Sequence, residues 1–373
     1  MPASISKRKL LVVSDTLLYQ RGNKLYGFAP VVRELQELAA DFDEIVWLGC
    51  EEKEQLYADT AITNRKIKCV LMPAVNHKQF NYFFAALAYP IFLLNIFKHS
   101  LTATHVHTRG PAHPALLSIL DSFVDNKRQY WHKYAGDWNR PDAPATYRLQ
   151  RSLLKKLAKK ENVHITVNSA GERSGNIMPF ENPTVYEHEL GAFAGKDFSG
   201  DLTILFVGNL TDAKGINELL AAFNSNKLNG RIAQLIIAGG GPLMQNIAFQ
   251  ASEKIKVMGY LNRSQLQYYY KHCHLLVLPS KSEGFPKVVA EAAAHGCIPV
   301  VSNISNISQY VHSDVNGFLM NNISVDGIID SVNAITTMGA DTLSSISRQA
   351  REMAKLFTYE RFIDRIRKEV FIK

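Results

Sequence analysis

The stretch from His272 to Asn303, HCHLLVLPSKSEGFPKVVAEAAAHGCIPVVSN, decides the fold of this chain. Its apolar run from Leu275 to Leu278 is short, branched and followed at once by a polar loop, which is typical of a buried parallel strand. The Ala-rich pattern from Pro286 to His295 predicts a helix that begins at a proline and ends before Gly296. A second apolar run, Ile298 to Val301, predicts the next strand. This order indicates an open parallel sheet whose ligand site lies at the carboxyl ends of its strands.

The loop and first helical turn of this stretch predict an anion site. Free NH groups at a helix N-terminus favour a phosphate, and we assign them to Gly284, Phe285 and Lys287. Two carboxylates, Glu283 and Glu291, flank this site. Because like charges repel, we expect both to accept hydrogen bonds from hydroxyl groups rather than to bind the phosphate. An anion with hydroxyl groups on both sides describes a nucleotide sugar.

The segment SEGFPKVVAEAAAHGCIPVV resembles the E-x7-E signature of retaining glycosyltransferases of family 4, which have the GT-B fold. The resemblance implies that Glu283 contacts the transferred sugar and that Glu291 contacts the ribose of the nucleotide. Two incidental acids on a solvated helix are the alternative, and the flanking strand, turn and second strand argue against it. The resemblance also implies an α/β fold of two Rossmann-like doubly wound domains that face a cleft. A C-terminal helix, Phe357 to Phe371, would cross back to the first domain.

The length of 373 residues is too great for one ordinary core and suits two domains. We assign residues 1–190 to an N-terminal acceptor-binding domain and residues 191–200 to a small, glycine-rich linker. Residues 201–355 are assigned to a C-terminal nucleotide-sugar-binding domain, and residues 356–373 to the helix that packs back on the N-terminal domain. The hydrophobic content of 46% and the charged content of 20% are typical of a folded soluble protein.

The cysteines and the N-terminus indicate the compartment. The four cysteines, at positions 50, 69, 273 and 297, form no CxxC pair and no pattern of metal ligands. We interpret them as buried thiols in a reducing compartment. The N-terminus, MPASISKRKLLVVSDT, has only a short apolar run after its basic start, so it predicts a first strand rather than a signal peptide. Together these features predict a cytoplasmic protein.

The net charge of +8 is unevenly placed along the chain. The segment from Lys127 to Lys160 holds ten basic and two acidic residues, which equals the whole excess. Nucleic acid and an anionic membrane surface are both possible partners for such a segment. Within it, Tyr147 to Lys160 predicts a helix with leucines on one face and basic residues around them, a pattern typical of a membrane interface. An ordinary amphipathic surface helix fits the same pattern equally well.

The most apolar stretch, from Tyr82 to Phe97, is sixteen residues long and contains Pro90. It falls short of the roughly twenty residues that a membrane-spanning helix needs. We predict a helix that is either buried in the domain or partly inserted into a membrane surface. The second alternative would place this helix and the basic segment on one membrane-facing side.

The N-terminal half predicts alternating strands and helices. Its first strand leads to a predicted loop from Asp15 to Phe28, where the family usually has a glycine-rich loop, so we assign Gly27 to the acceptor side. In QYWHKYAGDW we predict a strand that ends at His132. This resembles the family's strand ending in a His that reaches the donor sugar. His105 and His107 are weaker candidates, and because no carboxylate accompanies them at a metal-like spacing, we predict no metal site.

The C-terminal half opens with a strand from Leu202 to Val207 and the loop GNLTDAKG. Lys214 resembles the family's Lys that binds the nucleotide diphosphate, and Gly208 and Asn209 belong to the same loop. Asn209 stands where the family usually has Arg. An amide lacks the fixed charge of a guanidinium, and this loss weakens phosphate binding by about 1.5 to 3 kcal/mol. Either another cation substitutes for that Arg or the enzyme is slow.

Two further loops of this half bear on the nucleotide. The segment IKVMGY resembles the family's strand and turn beside the base. The Gly-Phe-Pro turn before the helix adds Pro286 to the residues assigned to nucleotide-sugar binding. The residues assigned to nucleotide-sugar binding on these grounds are Met258, Gly259, Tyr260 and Pro286. The run GGGP after the preceding strand lacks G-x-G-x-x-G, so NAD binding is not predicted.

The resemblance implies a retaining, metal-independent glycosyltransferase of the hexosyltransferase type. The donor would be a UDP- or GDP-sugar that serves as co-substrate, with no other cofactor. Lys214 and the helix N-terminus would stabilise the leaving group in a dry site, while His132 and Glu283 would position the sugar. The acceptor would attack from the same face and pass its proton to the departing phosphate.

The basic segment and the apolar stretch favour a lipid-linked saccharide acceptor. The protein would then lie on the inner face of the cell membrane and act in surface polysaccharide biosynthesis, for capsule, lipopolysaccharide or exopolysaccharide. A nucleotide-sugar epimerase and a non-catalytic subunit of a polysaccharide assembly are the alternatives on the same scaffold. A nucleic-acid-binding protein would leave the unit from Glu283 to Glu291 without a purpose, so no nucleic-acid partner is predicted.

Overall fold

The chain divides into two compact units. The computed structural model describes residues 7–53, 59–74, 82–136, 138–139, 142–168, 173–191, 195–282 and 285–371. Unit 1 comprises Met1–Asn182 and Phe362–Lys373, and unit 2 comprises Pro183–Arg361. The division after Asn182 differs from the linker predicted at 191–200, because the chain pairs with its C-terminal part soon after that point, through a bridge between Val185 and Thr358.

Unit 1 is built on a parallel sheet with helices on both faces. Its elements, in chain order, are β1 (Lys9–Arg21), β2 (Lys24–Phe28), α1 (Ala29–Leu38), β3 (Glu44–Glu51), β4 (Asp59–Ala61), β5 (Ile67–Met72), α2 (Tyr82–Ser100), β6 (His105–Gly110), α3 (His113–Val124), β7 (Gln129–Tyr134), α4 (Ala145–Leu157), β8 (Val163–Val167) and β9 (Ile177–Pro179). The parallel strands run in the order β5-β3-β1-β6-β7-β8-β9, and β2 and β4 pair antiparallel beside the end of β1.

Alternation along β1 divides the core of unit 1 between the two faces of the sheet. Leu10 and Val12 pack with α1 and the end of the chain, whereas Leu11 and Val13 pack with α2, α3 and α4. Successive strand residues point to opposite faces, so four consecutive apolar residues fill both layers. The sheet is therefore doubly wound, with α2, α3 and α4 in one layer.

The loop predicted from Asp15 to Phe28 is wrong, because this segment is a β-hairpin. β1 continues to Arg21, the chain turns at Gly22 with φ of +60°, and β2 pairs back along β1. Gly27 lies in β2, where a Cβ atom would stand 2.6 Å from Leu18 Cδ2. A packing contact in the hairpin therefore explains this glycine, and its role on the acceptor side stays a prediction.

Unit 2 is a second parallel sheet with covering helices. Its elements are β10 (Leu202–Val207), α5 (Ile216–Asn224), β11 (Ile232–Ala238), α6 (Met244–Ala248), β12 (Ile255–Gly259), α7 (Arg263–His272), β13 (Leu275–Leu278), α8 (Lys287–Ala294), β14 (Ile298–Ser302), β15 (Phe318–Met320), α9 (Val325–Thr336), α10 (Ala340–Ala354) and α11 (Tyr359–Arg365). The strands run in the order β12-β11-β10-β13-β14-β15, and every pair is parallel. The predicted strands at β10 and β13 are confirmed at both ends.

The end of the chain returns to unit 1. α11 continues as a π-helical turn, Ile366–Val370, and the apolar side chains of this segment join the same core as α1. Phe362 and Phe371 both lie beside the ring of Trp131 on β7, at centroid distances of 6.2 and 5.8 Å. The apolar side chains between Phe362 and Phe371 are therefore part of the interior of unit 1.

A buried ion cluster ties α1 to β6 and β7. Glu34 on α1 has a side chain only 3% exposed, and its two oxygens accept from Arg109 at 2.6 Å and Lys133 at 2.7 Å. Burial raises the pKa of Glu34. The charges of Arg109 and Lys133 lower it by more than burial raises it, so the pKa lies well below its ordinary value. Burial lowers the pKa of Lys133 to about 8 despite its contact with Glu34. Lys133 thus belongs to the interior and adds nothing to the surface charge of the predicted basic segment.

We predict that Glu34→Gln destabilises unit 1 by about 3 to 5 kcal/mol, because it leaves two buried cations without their carboxylate. Tryptophan fluorescence during urea unfolding measures this, since all three tryptophans, Trp47, Trp131 and Trp138, lie in unit 1. Glu37→Gln is the matched control, because Glu37 lies on the same helix and its side chain is only half-buried. Equal losses in the two variants would contradict the prediction.

Candidate active site

The candidate site lies at the carboxyl edge of the unit 2 sheet, where the strand order reverses between β10 and β13. Such a switch point is where open α/β sheets bind ligands. The loop after β10 bonds to the loop after β11 through the Leu210 NH and Gly240 carbonyl, at 2.9 Å. It also bonds to the loop after β13, where the Lys281 NH donates to the Ala213 carbonyl at 2.8 Å. The structure therefore joins three loops that are distant in sequence.

Two glycines make these contacts possible. A Cβ atom on Gly239, whose φ is +148°, would lie 1.8 Å from the Gly208 carbonyl oxygen. A Cβ atom on Gly215, whose φ is +68°, would lie 2.0 Å from the Pro279 carbonyl oxygen. Both glycines have a backbone conformation that other residues rarely adopt, and both touch backbone that has no freedom to move aside. The loops are thus locked together by backbone contacts.

The predicted diphosphate residues lie in the loop after β10. Lys214 ends a short 3-10 turn, Asp212–Lys214, directly before Gly215 and α5. A Cβ atom on Gly241 would lie 2.5 Å from Asn209 Oδ1, so the Asn209 side chain faces the loop after β11. The structure brings Lys214 and Asn209 to the same edge of the sheet as the loop after β13.

Lys281 is a cation at this edge that the sequence interpretation did not name. Its backbone NH donates to the carbonyl of Ala213, the residue before Lys214. Its Nζ lies 2.6 Å from Glu218 Oε1 in the first turn of α5. The Lys281 side chain is 47% exposed. Its position two residues before Glu283, in SKSEG, was the only signal in the sequence.

The predicted base pocket lies at the end of β12. Gly259 is the last residue of this strand, has φ of +66°, and accepts a hydrogen bond from the Gly239 NH at 2.8 Å. Its neighbours Met258 and Tyr260 have exposed side chains, at 36% and 46%. The structure therefore connects this strand end to the same group of loops, and contact with the base stays a prediction.

The turn before α8 is anchored by aromatic packing. The Phe285 ring stacks on Phe357 at 4.4 Å and meets Tyr310 edge-on at 4.9 Å. Pro286 is the N-cap and Lys287 the first helical residue, so the proline stands one position earlier than predicted. Glu283 and Gly284, two predicted members of the site, lie outside the described residues.

Glu291 lies on α8 and binds three protein side chains. Its Oε1 accepts from Thr184 Oγ1 at 2.7 Å, and its Oε2 accepts from the Tyr270 hydroxyl at 3.0 Å. Arg263 Nη1 lies 3.6 Å from Oε1. Burial, followed by the charge of Glu291, raises the pKa of Tyr270 well above its ordinary value, so the phenol keeps its proton and donates. A ribose at Glu291 would have to share or replace these partners.

A second carboxylate completes this network. Glu189, in the 3-10 turn Glu187–Leu190, pairs with Arg263 and accepts from Gln267 on α7. Burial raises the pKa of Glu189, but the hydrogen bonds from Arg263 and the Tyr186 NH, together with the charge of Arg263, lower the pKa overall. Sequence reasoning missed Thr184, Arg263 and Glu189, because nothing in their local sequence indicates a partner on another element.

His132 lies inside unit 1, and the strand end predicted at this residue is wrong because β7 continues to Tyr134. The His132 side chain is 1% exposed, its Nε2 lies 3.1 Å from Ser122 Oγ on α3, and its Nδ1 has no hydrogen-bond partner in the described part of the chain. Burial lowers the pKa of His132 to about 3, so the ring is neutral. Contact with a donor sugar stays a prediction that requires the imidazole to leave this position.

The described ranges contain neither a cluster of metal ligands nor a helix suited to cross a membrane. No group of three or more His, Cys, Asp or Glu side chains there is placed to hold a metal ion. No helix in those ranges is both long and apolar enough to cross a membrane. All four cysteines are free thiols. The predicted metal independence stays a prediction.

Sequence comparison identifies the part of the chain that carries this site. Residues 192–353 match the family model for glycosyl transferases group 1. This part of the chain is similar to the group 1 glycosyltransferases. It lies within unit 2 and contains the loops after β10, β11, β12 and β13. The loops of the candidate site therefore lie in the region that matches this family model.

Two curated relatives are also similar to this chain. An uncharacterized glycosyltransferase of Methanocaldococcus jannaschii is 34% identical over 137 residues, which are 35% of this chain and 35% of that protein. The putative colanic acid biosynthesis glycosyltransferase WcaL of Escherichia coli is 26% identical over 163 residues, 40% of each chain. The chain spans between 35% and 54% of the length of the first relatives that it matches.

A solved structure extends the likeness to the whole fold. Alr3699/HepE of Anabaena, in complex with UDP, has a TM-score of 0.68 and 16% identity to this chain, and the match covers 97% of this chain and 98% of that one. At this identity the likeness shows the fold alone, which is GT-B with two Rossmann-like units. The predicted fold class is confirmed.

We predict that Gly239→Ala lowers the stability of unit 2 by at least about 3 kcal/mol, because the new Cβ atom overlaps the Gly208 carbonyl oxygen. Thermal melting followed by circular dichroism measures this. Gly240→Ala is the matched control, since a Cβ atom there meets nothing within 4 Å. Insoluble Gly239→Ala beside soluble Gly240→Ala agrees with the prediction, and equal melting temperatures refute it.

We predict that His132→Gln flattens the pH dependence of unit 1 stability in acid. The folded imidazole has a pKa of about 3 against an ordinary 6.5, so the unfolded chain binds one more proton between those pH values. The free energy of unfolding therefore falls as the pH drops from 6.5, by about 1.4 kcal/mol per pH unit for this group. Urea unfolding followed by tryptophan fluorescence at pH 6.5, 5.5 and 4.5 tests this. An unchanged slope in His132→Gln would show that the ring titrates normally in the folded protein.

Proposed function

We propose that this protein is a retaining glycosyltransferase of family 4 that moves a sugar from a nucleoside-diphosphate sugar to a saccharide acceptor. The observation that carries the proposal is the convergence of the Lys214 loop, the end of β12 and the turn before α8 at the switch point of unit 2. These elements lie in the region that matches the group 1 glycosyltransferases. The presence of UDP in Alr3699/HepE, which has the same fold, supports a nucleotide donor of the same kind.

The donor would lie across the carboxyl edge of the unit 2 sheet. Met258 and Tyr260 would contact the base, and Glu291 would accept from the ribose hydroxyls. The first turn of α8 would offer its NH groups to the diphosphate, with Lys214 as the cation opposite. Glu283 would accept from hydroxyls of the transferred sugar. The network around Glu291 supports this role, because Tyr270 and Thr184 hold the carboxylate in one orientation.

Departure of the nucleoside diphosphate builds negative charge on its oxygens. In this proposal Lys214 and the α8 N-terminus stabilise that charge without a metal ion, and the attacking acceptor passes its proton to the departing phosphate. Asn209 adds a hydrogen bond but no charge. Lys281 is the cation that replaces the missing Arg, because it lies beside Lys214 and needs only to release Glu218.

The acceptor in this proposal is a lipid-linked saccharide of surface polysaccharide biosynthesis. The similarity to WcaL, named as a putative colanic acid biosynthesis glycosyltransferase, supports a role in polysaccharide biosynthesis. The protein would act on the inner face of the cell membrane, in contact with anionic lipid through the segment Lys127 to Lys160. A non-catalytic subunit that binds the nucleotide is the second candidate, because the neutral Asn209 in place of Arg weakens leaving-group stabilisation.

We predict that a UDP- or GDP-sugar raises the melting temperature, and that a donor at a hundred times its dissociation constant adds about 2.7 kcal/mol to folding. Lys214→Met should reduce affinity for the donor at least about tenfold, since a charge-assisted hydrogen bond contributes about 1.5 to 3 kcal/mol. Differential scanning fluorimetry with a panel of donors measures both effects. Lys227→Met is the control. This exposed lysine precedes β11, at the opposite edge of the sheet, and pairs with Asp326 on α9.

The outcomes separate the candidates. Stabilisation by one nucleotide class, together with release of nucleoside diphosphate when a lipid-linked acceptor is added, supports the transferase. Stabilisation without turnover supports the non-catalytic subunit. If no donor stabilises the protein, or if Lys214→Met and Lys227→Met bind the donor equally well, the proposed donor site is wrong.

A further inference from the structure

α2 is apolar on both sides, although only one side faces the core of unit 1. Its inner stripe, which includes Phe92 and Ile96, is at most 4% exposed and packs with α3 and α4. Its outer stripe, Leu94, Phe97 and the following Leu101, is between 64% and 68% exposed. The spacing of three and four residues places these three side chains on one line along the helix. No described residue covers that line.

The neighbouring helix α3 enlarges this apolar surface. α2 packs against α3, and α3 against α4, in the layer that covers one face of the sheet. The outer residues Leu120, Phe123 and Val124 of α3 are between 38% and 80% exposed. Single exposed apolar residues are normal on a soluble protein, but a continuous group of this kind marks an interaction site.

The charge of this layer is predominantly positive. Neither α2 nor α4 contains an acidic residue, and α4 carries exposed basic side chains at Arg148, Lys155 and Lys156. The two acids of α3 and its end, Asp121 and Asp125, are neutralised by contacts within the unit, including an ion pair of Asp125 with Arg128 at 2.9 Å. The apolar stripe therefore lies beside uncompensated positive charge.

The geometry points to an anionic lipid bilayer as the occupant of this surface. We propose that the outer sides of α2 and α3 insert among the lipid headgroups and upper acyl chains, while the basic residues of α4 contact anionic headgroups. Helices that lie in a membrane interface combine an apolar face with flanking Lys and Arg in this way. α2 is too short and too interrupted by Pro90 to span a membrane, so it lies along the surface.

The other classes of partner fit these observations less well. A nucleic acid would use the basic residues of α4 but leave Leu94 and Phe97 in water. A second copy of this chain would cover the apolar stripe but bring like charges on the two α4 helices together. A bilayer of anionic lipid satisfies both features at once.

The inference rests on the membrane partner of the proposed function and assigns it to particular residues. It is tested by co-sedimentation of the full chain with vesicles of phosphatidylcholine alone or mixed with phosphatidylglycerol. The protein should bind the mixed vesicles, and Leu94→Ser/Phe97→Ser should weaken this binding at least about tenfold through lost apolar burial. Phe249→Ser is the matched control and should bind as the wild type does, because Phe249 is 90% exposed in unit 2.

The electrostatic part has its own variants. Lys155→Gln/Lys156→Gln should weaken binding to the mixed vesicles about 30-fold, because each basic residue near an anionic surface contributes about 1 kcal/mol. Lys254→Gln/Lys256→Gln removes two exposed charges from unit 2 and should leave binding unchanged. Added salt should weaken the wild type and leave Lys155→Gln/Lys156→Gln less affected.

Three results would overturn the inference. One is equal vesicle binding by Leu94→Ser/Phe97→Ser and Phe249→Ser. Another is a dimer of the wild type, seen by light scattering without lipid and lost in Leu94→Ser/Phe97→Ser, which would assign the surface to a second copy. The third is retention on RNA in place of vesicles. Stabilisation by donor in each variant is measured in parallel, so that loss of the donor site and loss of membrane binding are read separately.

Discussion

The carbonyl oxygen of Gly208 occupies the space in which a side chain of residue 239 would begin, 1.8 Å from the position of a Cβ atom. Gly215 meets the carbonyl of Pro279 in the same way. These contacts bring the loops after β10, β11 and β13 closer than side chains would permit. The edge of the sheet therefore presents backbone NH and CO groups in fixed directions, and the candidate site depends on that close approach. Lys214 and Lys281 add positive charge to a backbone arrangement that depends on Gly239 and Gly215.

The sequence predicts this edge of unit 2 well because its signals are local. The strand at Leu275–Leu278, the turn before α8 and the helix itself each follow from a few neighbouring residues. The hairpin in unit 1 was hidden by the polar pair Asp15 and Thr16, which interrupts the apolar pattern of β1. The chain nevertheless continues as a strand because Leu17 and Leu18 pair with β3 beyond that interruption. A register shift of this kind is a tertiary property, and composition does not reveal it.

The partners of Glu291 were beyond sequence reasoning for a related reason. Thr184 is 107 positions away along the chain and reaches the carboxylate only because the segment that enters unit 2 pairs with the residues before α11. Tyr270 reaches it from α7. The motif therefore identifies the acid, whereas the fold supplies the groups that orient it. Those groups hold each of the two carboxylate oxygens of Glu291 in a hydrogen bond.

His132 and Lys133 are neighbours on β7, but their side chains contact different helices on opposite faces of the sheet. Successive residues on β7 point to opposite faces of the sheet, so the imidazole meets Ser122 on α3 and the ammonium meets Glu34 on α1. The strand that resembles the family's sugar-contacting strand thus places its histidine in the layer of α2, α3 and α4. The same layer carries the exposed apolar stripe, and His132 contacts this layer through Ser122 on α3. On the opposite face, the buried pair of Lys133 and Glu34 ties the same strand to α1.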